Sequence, residues 1–284
     1  GLLLDLPADW ASPETFELDL RSRSAGFGRT FVRLGRGAQA RLVLRRGRGE
    51  GAHPLHFHEA AFRLEAGSRL ELLILGEDGA EDVRLDSWGF ALARDSSLSA
   101  CFLSPGGRLV RSRFQIDLEG ENAEAKVSGL AVLDKERQSH GHLLLNHLAP
   151  HCRSEQLFKH VLLGSSRASL DGTVRVAESA GGASARQTLR SLMLSSSARA
   201  SGKPRMEILN GDVFAQHGAT VGEPDKGEIF YLQARGLERQ TAVGLLALAF
   251  AREVLADMPC AEKRAAVEED YLGGLSLARG TRSP

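Results

Sequence analysis

The sequence predicts a mainly β chain of stacked coils, a β-helix, followed by a helical segment at the C-terminal end. Three observations carry this expectation. From residue 17 to about 221 apolar residues alternate with polar ones, as in Ala40-Leu42-Leu44, Leu70-Leu72-Ile74, Phe114-Ile116-Leu118 and Val174-Val176, which is the period of strands. Several runs follow a glycine and small or polar residues, as in Gly37-Ala38-Gln39-Ala40, Gly67-Ser68-Arg69-Leu70 and Gly107-Arg108-Leu109-Val110, so turn and strand recur as a unit. Aromatic residues are only 6% of the 284, and Gly, Ala, Ser and Leu are plentiful, which suits thin layers of small inward side chains. A sandwich or a barrel is the alternative for such short strands. No amphipathic helices intervene, which argues against βαβ units.

Taken in order, about the first 30 residues read as a lead-in, and the β-helix core runs to residue 222. A C-terminal helical domain takes up residues 223–284. There Asp225 stands three residues before Glu228, an N-cap and N3 pairing that satisfies the free amides of a starting helix. Ile229 and Leu232 give that helix an apolar face, and Gly236 ends it. Val243, Leu246, Phe250 and Val254 follow at spacings of three and four, predicting a second helix with one apolar side that Leu245 and Ala249 widen. Residues 261–272 predict a third helix, with Gly273-Gly274 and the last residues frayed.

Composition excludes several function classes. Lys plus Arg and Asp plus Glu are both 36, so no net field favours nucleic acid or an anionic membrane, and neither is expected as a partner. No apolar run approaches the ~20 residues of a spanning helix. The chain opens Gly1-Leu2-Leu3 with no basic and apolar leader. Cys101, Cys152 and Cys260 form neither a C-x-x-C pair nor a zinc-ribbon spacing, and read as small buried side chains in a reducing, cytoplasmic compartment.

Apart from His160, the histidines fall in three places. His53, His56 and His58 form the first; His56 and His58 share a strand face, and with Glu65 they resemble a loose cupin metal site. A solvated or hydrogen-bonded surface row is the plainer reading. The second is His140, His142, His147 and His151 beside Cys152, where alternation puts the first two histidines on one strand face and the last two on the other, so they cannot converge without a bend. Hydrogen bonding along stacked strands is expected there. His217 stands alone among glycines where strand pattern gives way to helix pattern. Read locally, it is a turn residue satisfied by backbone, although the glycines admit close approach by a partner or a cluster. No G-x-S-x-G elbow, Walker A loop, H-E-x-x-H or G-x-G-x-x-G after a strand occurs.

One longer stretch is more specific. Lys203-Pro204-Arg205-Met206-Glu207-Ile208, Asp212-Val213, His217-Gly218-Ala219-Thr220-Val221-Gly222 and Phe230-Tyr231-Leu232-Gln233-Ala234-Arg235-Gly236 together resemble the SufB/SufD family of iron-sulfur cluster assembly scaffolds, its SufD branch more than its SufB branch. Upstream, His147-Leu148-Ala149-Pro150-His151-Cys152-Arg153-Ser154 and Arg186-Gln187-Thr188-Leu189-Arg190-Ser191-Leu192 resemble the family's middle segments, so the likeness covers about residues 91–255. The resemblance implies a right-handed parallel β-helix and a C-terminal helical domain. It also implies a non-enzymatic scaffold that pairs with a SufB-like subunit, a homodimer being left open, and docks a SufC-like ATPase through its C-terminal helices.

On that resemblance His217, with Gly218, Ala219 and Thr220, marks the partner interface or cluster site, and Tyr231, Val243, Leu246, Phe250 and Val254 mark the ATPase-docking helices. A nascent iron-sulfur cluster would form only in the complex, with no cofactor stably held by the chain alone. Neutral imidazole ligates iron in mixed His/Cys clusters, so His217 is the candidate metal ligand beside partner cysteines. Relatives carry C-S-H-G where this chain has Ala215-Gln216-His217-Gly218, so no thiol is available at that place. The competing expectation is an enzyme, either a β-helix lyase or hydrolase with paired carboxylates or a cupin-like metal enzyme using His56 and His58.

Overall fold

The computed structural model describes residues 1–21, 26–47 and 55–276. Strands β1 (Leu2–Leu6), β3 (Gly26–Leu34), β5 (Leu55–Leu64), β7 (Val83–Leu92), β9 (Leu109–Leu118), β11 (Gln138–His147), β13 (Arg167–Val176) and β15 (Arg199–Ile208) lie side by side in one parallel sheet, sheet A. Sheet B holds β2 (Ala11–Asp19), β4 (Gln39–Gly47), β6 (Arg69–Glu77), β8 (Ser97–Ser104), β10 (Glu124–Leu133), β12 (Arg153–Leu162), β14 (Ala183–Met193) and β16 (Val213–Gly222), again parallel and in sequence order. The chain crosses from one sheet to the other at each turn and returns one strand further on. It is a parallel β-solenoid of about seven turns. Strand structure begins at Leu2, well before the residue at which alternation becomes evident in the sequence.

Alternation puts one side of each strand into the space between the sheets, where parallel register stacks like upon like. In sheet A one such column runs Leu34, Leu64, Leu92, Leu118, His147 and Val176. The few aromatics concentrate here: Phe62 stacks on Phe90 at 4.7 Å, and Trp88, Phe102, Phe114 and Phe158 follow one another edge to face or tilted. Aromatic pairs in offset or edge geometry add to burial, so the core gains rigidity from few rings.

One corner of the solenoid is built from a single repeated device. Asp9, Gly37, Gly67, Asp95, Asn122, His151 and Gly182 all have positive φ, one per coil. Each donates its amide N–H to a carbonyl of the next coil, as Gly67 does to Arg94 at 2.9 Å and His151 to Gly181 at 2.9 Å, so the corner carries a backbone ladder. Gly, Asn and Asp reach this conformation at least cost.

The outer face of sheet B is covered. Helix α1 (Lys226–Gln233) is capped by Asp225, whose carboxylate accepts from the Glu228 amide at 2.9 Å, and Gly236 follows it at φ +91°. Helix α2 (Arg239–Ala256) and helix α3 (Arg264–Ser276), joined through a one-turn 3-10 helix at Ala261–Lys263, pack on Val43, Leu73, Leu75, Cys101, Leu103, Leu130 and Val161. Gly273 and Gly274 lie inside α3; residues 279–284 fall outside the described residues.

The face that α2 buries differs from the one expected. Ala247, Leu248, Ala251, Val254 and Leu255 are buried, Val243 and Leu246 are half-buried, and Leu245 and Ala249 face out. Of the expected stripe only Val254 packs fully. The reason lies at Lys159, which β12 points outward beneath α2. Its buried ammonium donates to the Phe250 carbonyl at 2.8 Å, pairs with Glu253 and sits 4.1 Å from the Phe250 ring centre. That anchor rotates the small residues Ala247 and Ala251 onto the sheet and leaves Phe250 as a lid over the lysine. Lys126 with Asp257 at 2.9 Å and Thr15 with Glu262 at 2.5 Å fasten the helices along the same face.

Candidate functional site

The candidate site is the last coil. Among the described residues strands β15 and β16 each have a hydrogen-bonded neighbour on one side only, β13 and β14, so two parallel edges end together. Phe214, Leu209, Val221 and Ile208 are exposed there at 60, 68, 45 and 41%. An exposed apolar edge is a template for another chain, and proteins that keep one use it or shield it.

His217, Gly218, Ala219 and Thr220 all lie on β16 and are exposed. Register puts His217 opposite Gln187, an inward position, so the imidazole belongs to the interior column where the solenoid opens. Together with Arg186, Gln187, Arg190 and Gln216, these four residues line an open cavity of about 500 Å³. Nothing lies within 4 Å of a Cβ built on Gly218, which leaves backbone room for an approaching chain. His217 is thus not satisfied within a turn, as its local sequence alone would have it.

The other candidate residues divide. On α1, Tyr231 is 57% exposed beneath the Arg235 guanidinium at 4.3 Å from its ring, Phe230 is 73% exposed, and Leu245 of α2 is 38% exposed. Val254, at 1%, faces sheet B and is unavailable to any partner of the folded chain, and Phe250 covers Lys159.

His56 and His58 are not a surface row. β5 turns them into the interior, His56 at 1% exposure, and His58 exchanges a hydrogen bond with the Thr30 hydroxyl at 3.1 Å and leans on Trp88. Burial, then the Arg46 and Arg84 guanidiniums, pull the His58 imidazole down to about 4. Glu65 closes the far end of β5, about 23 Å along an extended strand, paired with Arg33 and Arg63, so the cupin-like set never assembles. His53 lies outside the described residues.

In the middle cluster, alternation keeps the histidines apart. His140 meets Ser169 at 2.7 Å, while His147, fully buried in the leucine column, meets Ser154 at 2.9 Å and is held near 4 by burial. His151 serves the left-handed corner.

The structure also brings together a group absent from the sequence-level expectations. Arg46, Asp78, Arg84 and Asp86 form a buried network, with Arg46 to Asp86 and Arg84 to Asp78 both at 2.5 Å. Its members come from β4, β7 and the turn after β6, and no spacing in the chain announces it. Its charges neutralise one another inside the fold, so it reads as a structural tie.

The three thiols are buried. Burial pushes Cys101 and Cys260 up to about 12 and raises Cys152, so none is a thiolate near neutral pH. Among the described residues no group of three or more His, Cys, Asp or Glu side chains is placed to hold a metal. Likewise no helix among them is long and apolar enough to cross a membrane.

A parallel solenoid with one flank covered by helices and the strand edges of its last coil unpaired among the described residues, as are those of β1 and β2 at the other end, is a platform with a candidate docking edge. Residues 18–250 match the family model described as "SUF system FeS cluster assembly, SufBD core domain". The chain therefore belongs to the SufBD family of iron-sulfur cluster assembly proteins.

Its relatives agree. The iron-sulfur cluster assembly protein SufD of Escherichia coli is 30% identical over 201 residues, 70% of this chain and 48% of that one. A SufBD family protein of Synechocystis is 32% identical over 186 residues, 65% and 41% of the two chains. One from Mycobacterium leprae is 27% identical over 269 residues, 90% and 67%. The chain spans about half the length of the first two relatives.

Proposed function

We propose that this chain is a non-enzymatic scaffold subunit of a SUF assembly complex, working in the cytoplasm. Its open end pairs with a SufB-like subunit, and the exposed face of α1 and early α2 docks a SufC-like ATPase. The observation that carries the reading is the uncapped terminal coil, where two strand edges, four exposed apolar side chains and His217 coincide. A solenoid stacks coils, so the natural occupant of an open end is another edge of the same geometry. Family membership supplies the rest: the molecule that best matches this edge is another SufBD core.

The nascent cluster is cargo in this reading. With its own thiols buried and protonated, the chain offers His217 and takes cysteine ligands from the partner. On the helical side, Phe230, Tyr231 and Leu245 carry the docking surface, with Val243 and Leu246 at its half-buried rim.

Co-purification with SufB-like and SufC-like subunits, followed by cluster reconstitution on the His217→Ala complex, tests the proposal. Loss of cluster on an intact complex is expected. Retention of both cluster and assembly would remove His217 from the site. Failure to associate with either subunit, or turnover of a substrate by the chain unaided, would overturn the scaffold reading.

A further inference from the structure

The interior of the last coils carries an acceptor that no residue described so far uses. Inward positions of sheet B stack in register as Val127, Gln156, Gln187 and His217. Gln156 and Gln187 are each 1% exposed, and the Gln187 Nε2 group donates to Gln156 Oε1 at 2.8 Å. The carbonyl oxygen of that amide diverges from its NH2, and the Gln187 side chain lines the same open cavity as His217. That oxygen, Gln187 Oε1, is buried and has no hydrogen-bond partner among the described residues.

Sheet A holds the amide in this pose. A Cβ at Gly172, on the facing strand β13, would come within 2.5 Å of Gln187 Nε2, so the glycine makes the space that Gln187 fills. An unpaired buried acceptor is costly, and the next polar side chain along the column is the His217 imidazole.

We propose that Gln187 is a positioning residue for His217. A turn of the exposed His217 side chain toward the column lets Gln187 Oε1, which bonds nothing in the pose described, accept a hydrogen bond from one imidazole N–H, which selects a single neutral tautomer and turns the lone pair of the other nitrogen out of the open end. Ligating histidines are commonly oriented in this way by a buried acceptor on their second nitrogen. The inference rests on the reading of His217 as the cluster-facing residue. The tautomer itself is a property of this chain alone and can be read without a partner.

Long-range 1H–15N NMR of the 15N-histidine-labelled full chain at pH 8 reads the tautomer directly. In the unmodified chain one His217 tautomer should dominate. Gln187→Met, nearly isosteric but without the acceptor, should shift the tautomer ratio about fivefold, the worth of one net hydrogen bond, and Gln187→Glu should restore it. Should Gln187→Met not fold, Gly172→Ala displaces the same amide from the facing sheet and should move the ratio in the same direction. An unchanged His217 ratio in a folded variant overturns the proposal whatever happens to cluster loading. A moved ratio with undiminished loading of the Gln187→Met complex keeps the positioning role and instead contradicts His217 as the cluster site.

Discussion

A left-handed residue in each coil fixes where the chain turns, and at Gly182 the requirement is strictest. Its φ is +68°, which disfavours any side chain, and an added Cβ would come within 2.4 Å of Nδ1 of the exposed His151 ring, which must swing aside. Gly182→Ala should cost about 1–3 kcal/mol in urea denaturation, whereas Gly211→Ala, with nothing within 4 Å, should stay within about 0.5 kcal/mol. In sequence the corner is legible at Gly37 and Gly67, where glycine precedes a strand. It is hidden at Asp95, Asn122 and His151, which adopt the same conformation without glycine. Gln187 was equally silent. A glutamine at an inward position reads as a break in the apolar pattern until register shows Gln156 beneath it and His217 beyond it.

At the scale of elements, the seat of α2 follows from Lys159 and two alanines. Ala247 and Ala251 are fully buried and let the helix approach sheet B. Ala251→Leu should overpack that contact by about 1–3 kcal/mol, seen as faster amide exchange throughout α2 with the solenoid unaffected. The buried network sets a second expectation. Asp86→Ala strands Arg46 without its close partner and should cost about 3–5 kcal/mol in denaturant, and pairing it with Arg46→Met should recover most of the loss.

The phase of α2 was not legible from periodicity because apolar residues surround the helix. From Ala242 to Ala251 no polar side chain occurs, and only the first turn and Arg252 and Glu253 carry polar groups that could orient it. A clue lay instead in the strands. Runs such as Leu72-Leu73-Ile74-Leu75 are apolar at every position, the mark of a sheet buried on both faces.

At the scale of the whole molecule, buried and half-buried imidazoles make stability depend on pH. His58, His147 and His160 are held near 4 against an ordinary 6.5, chiefly by burial. The unfolded chain takes up these protons at about pH 6.5 while the folded chain declines them until about pH 4, so protons favour unfolding across that window. Stability present above pH 6.5 should therefore fall by several kcal/mol in total on the way to pH 4. His160→Gln, which keeps a polar partner for Ser191, should make that fall shallower in denaturation midpoints taken across the range.

The stacked architecture itself was legible, because strict alternation over many short runs and a scarcity of aromatics fit layered coils. The open end was less so. Pro204 in β15 is a residue that sheets tolerate at an edge, but the alternation of β15 and β16 does not itself mark an end, and the topology shows that no seventeenth strand follows among the described residues.

In a solenoid each coil is held by its neighbours, so a terminal coil without one exchanges fastest until something binds it. Amide hydrogen exchange across Arg199–Ile208 and Val213–Gly222, with and without a SufB-like subunit, is the most direct test of the scaffold reading. Fast exchange in the chain alone and strong protection of both strands in the complex are predicted. Protection confined to other strands, or a complex that leaves these amides as open as before, would contradict the account.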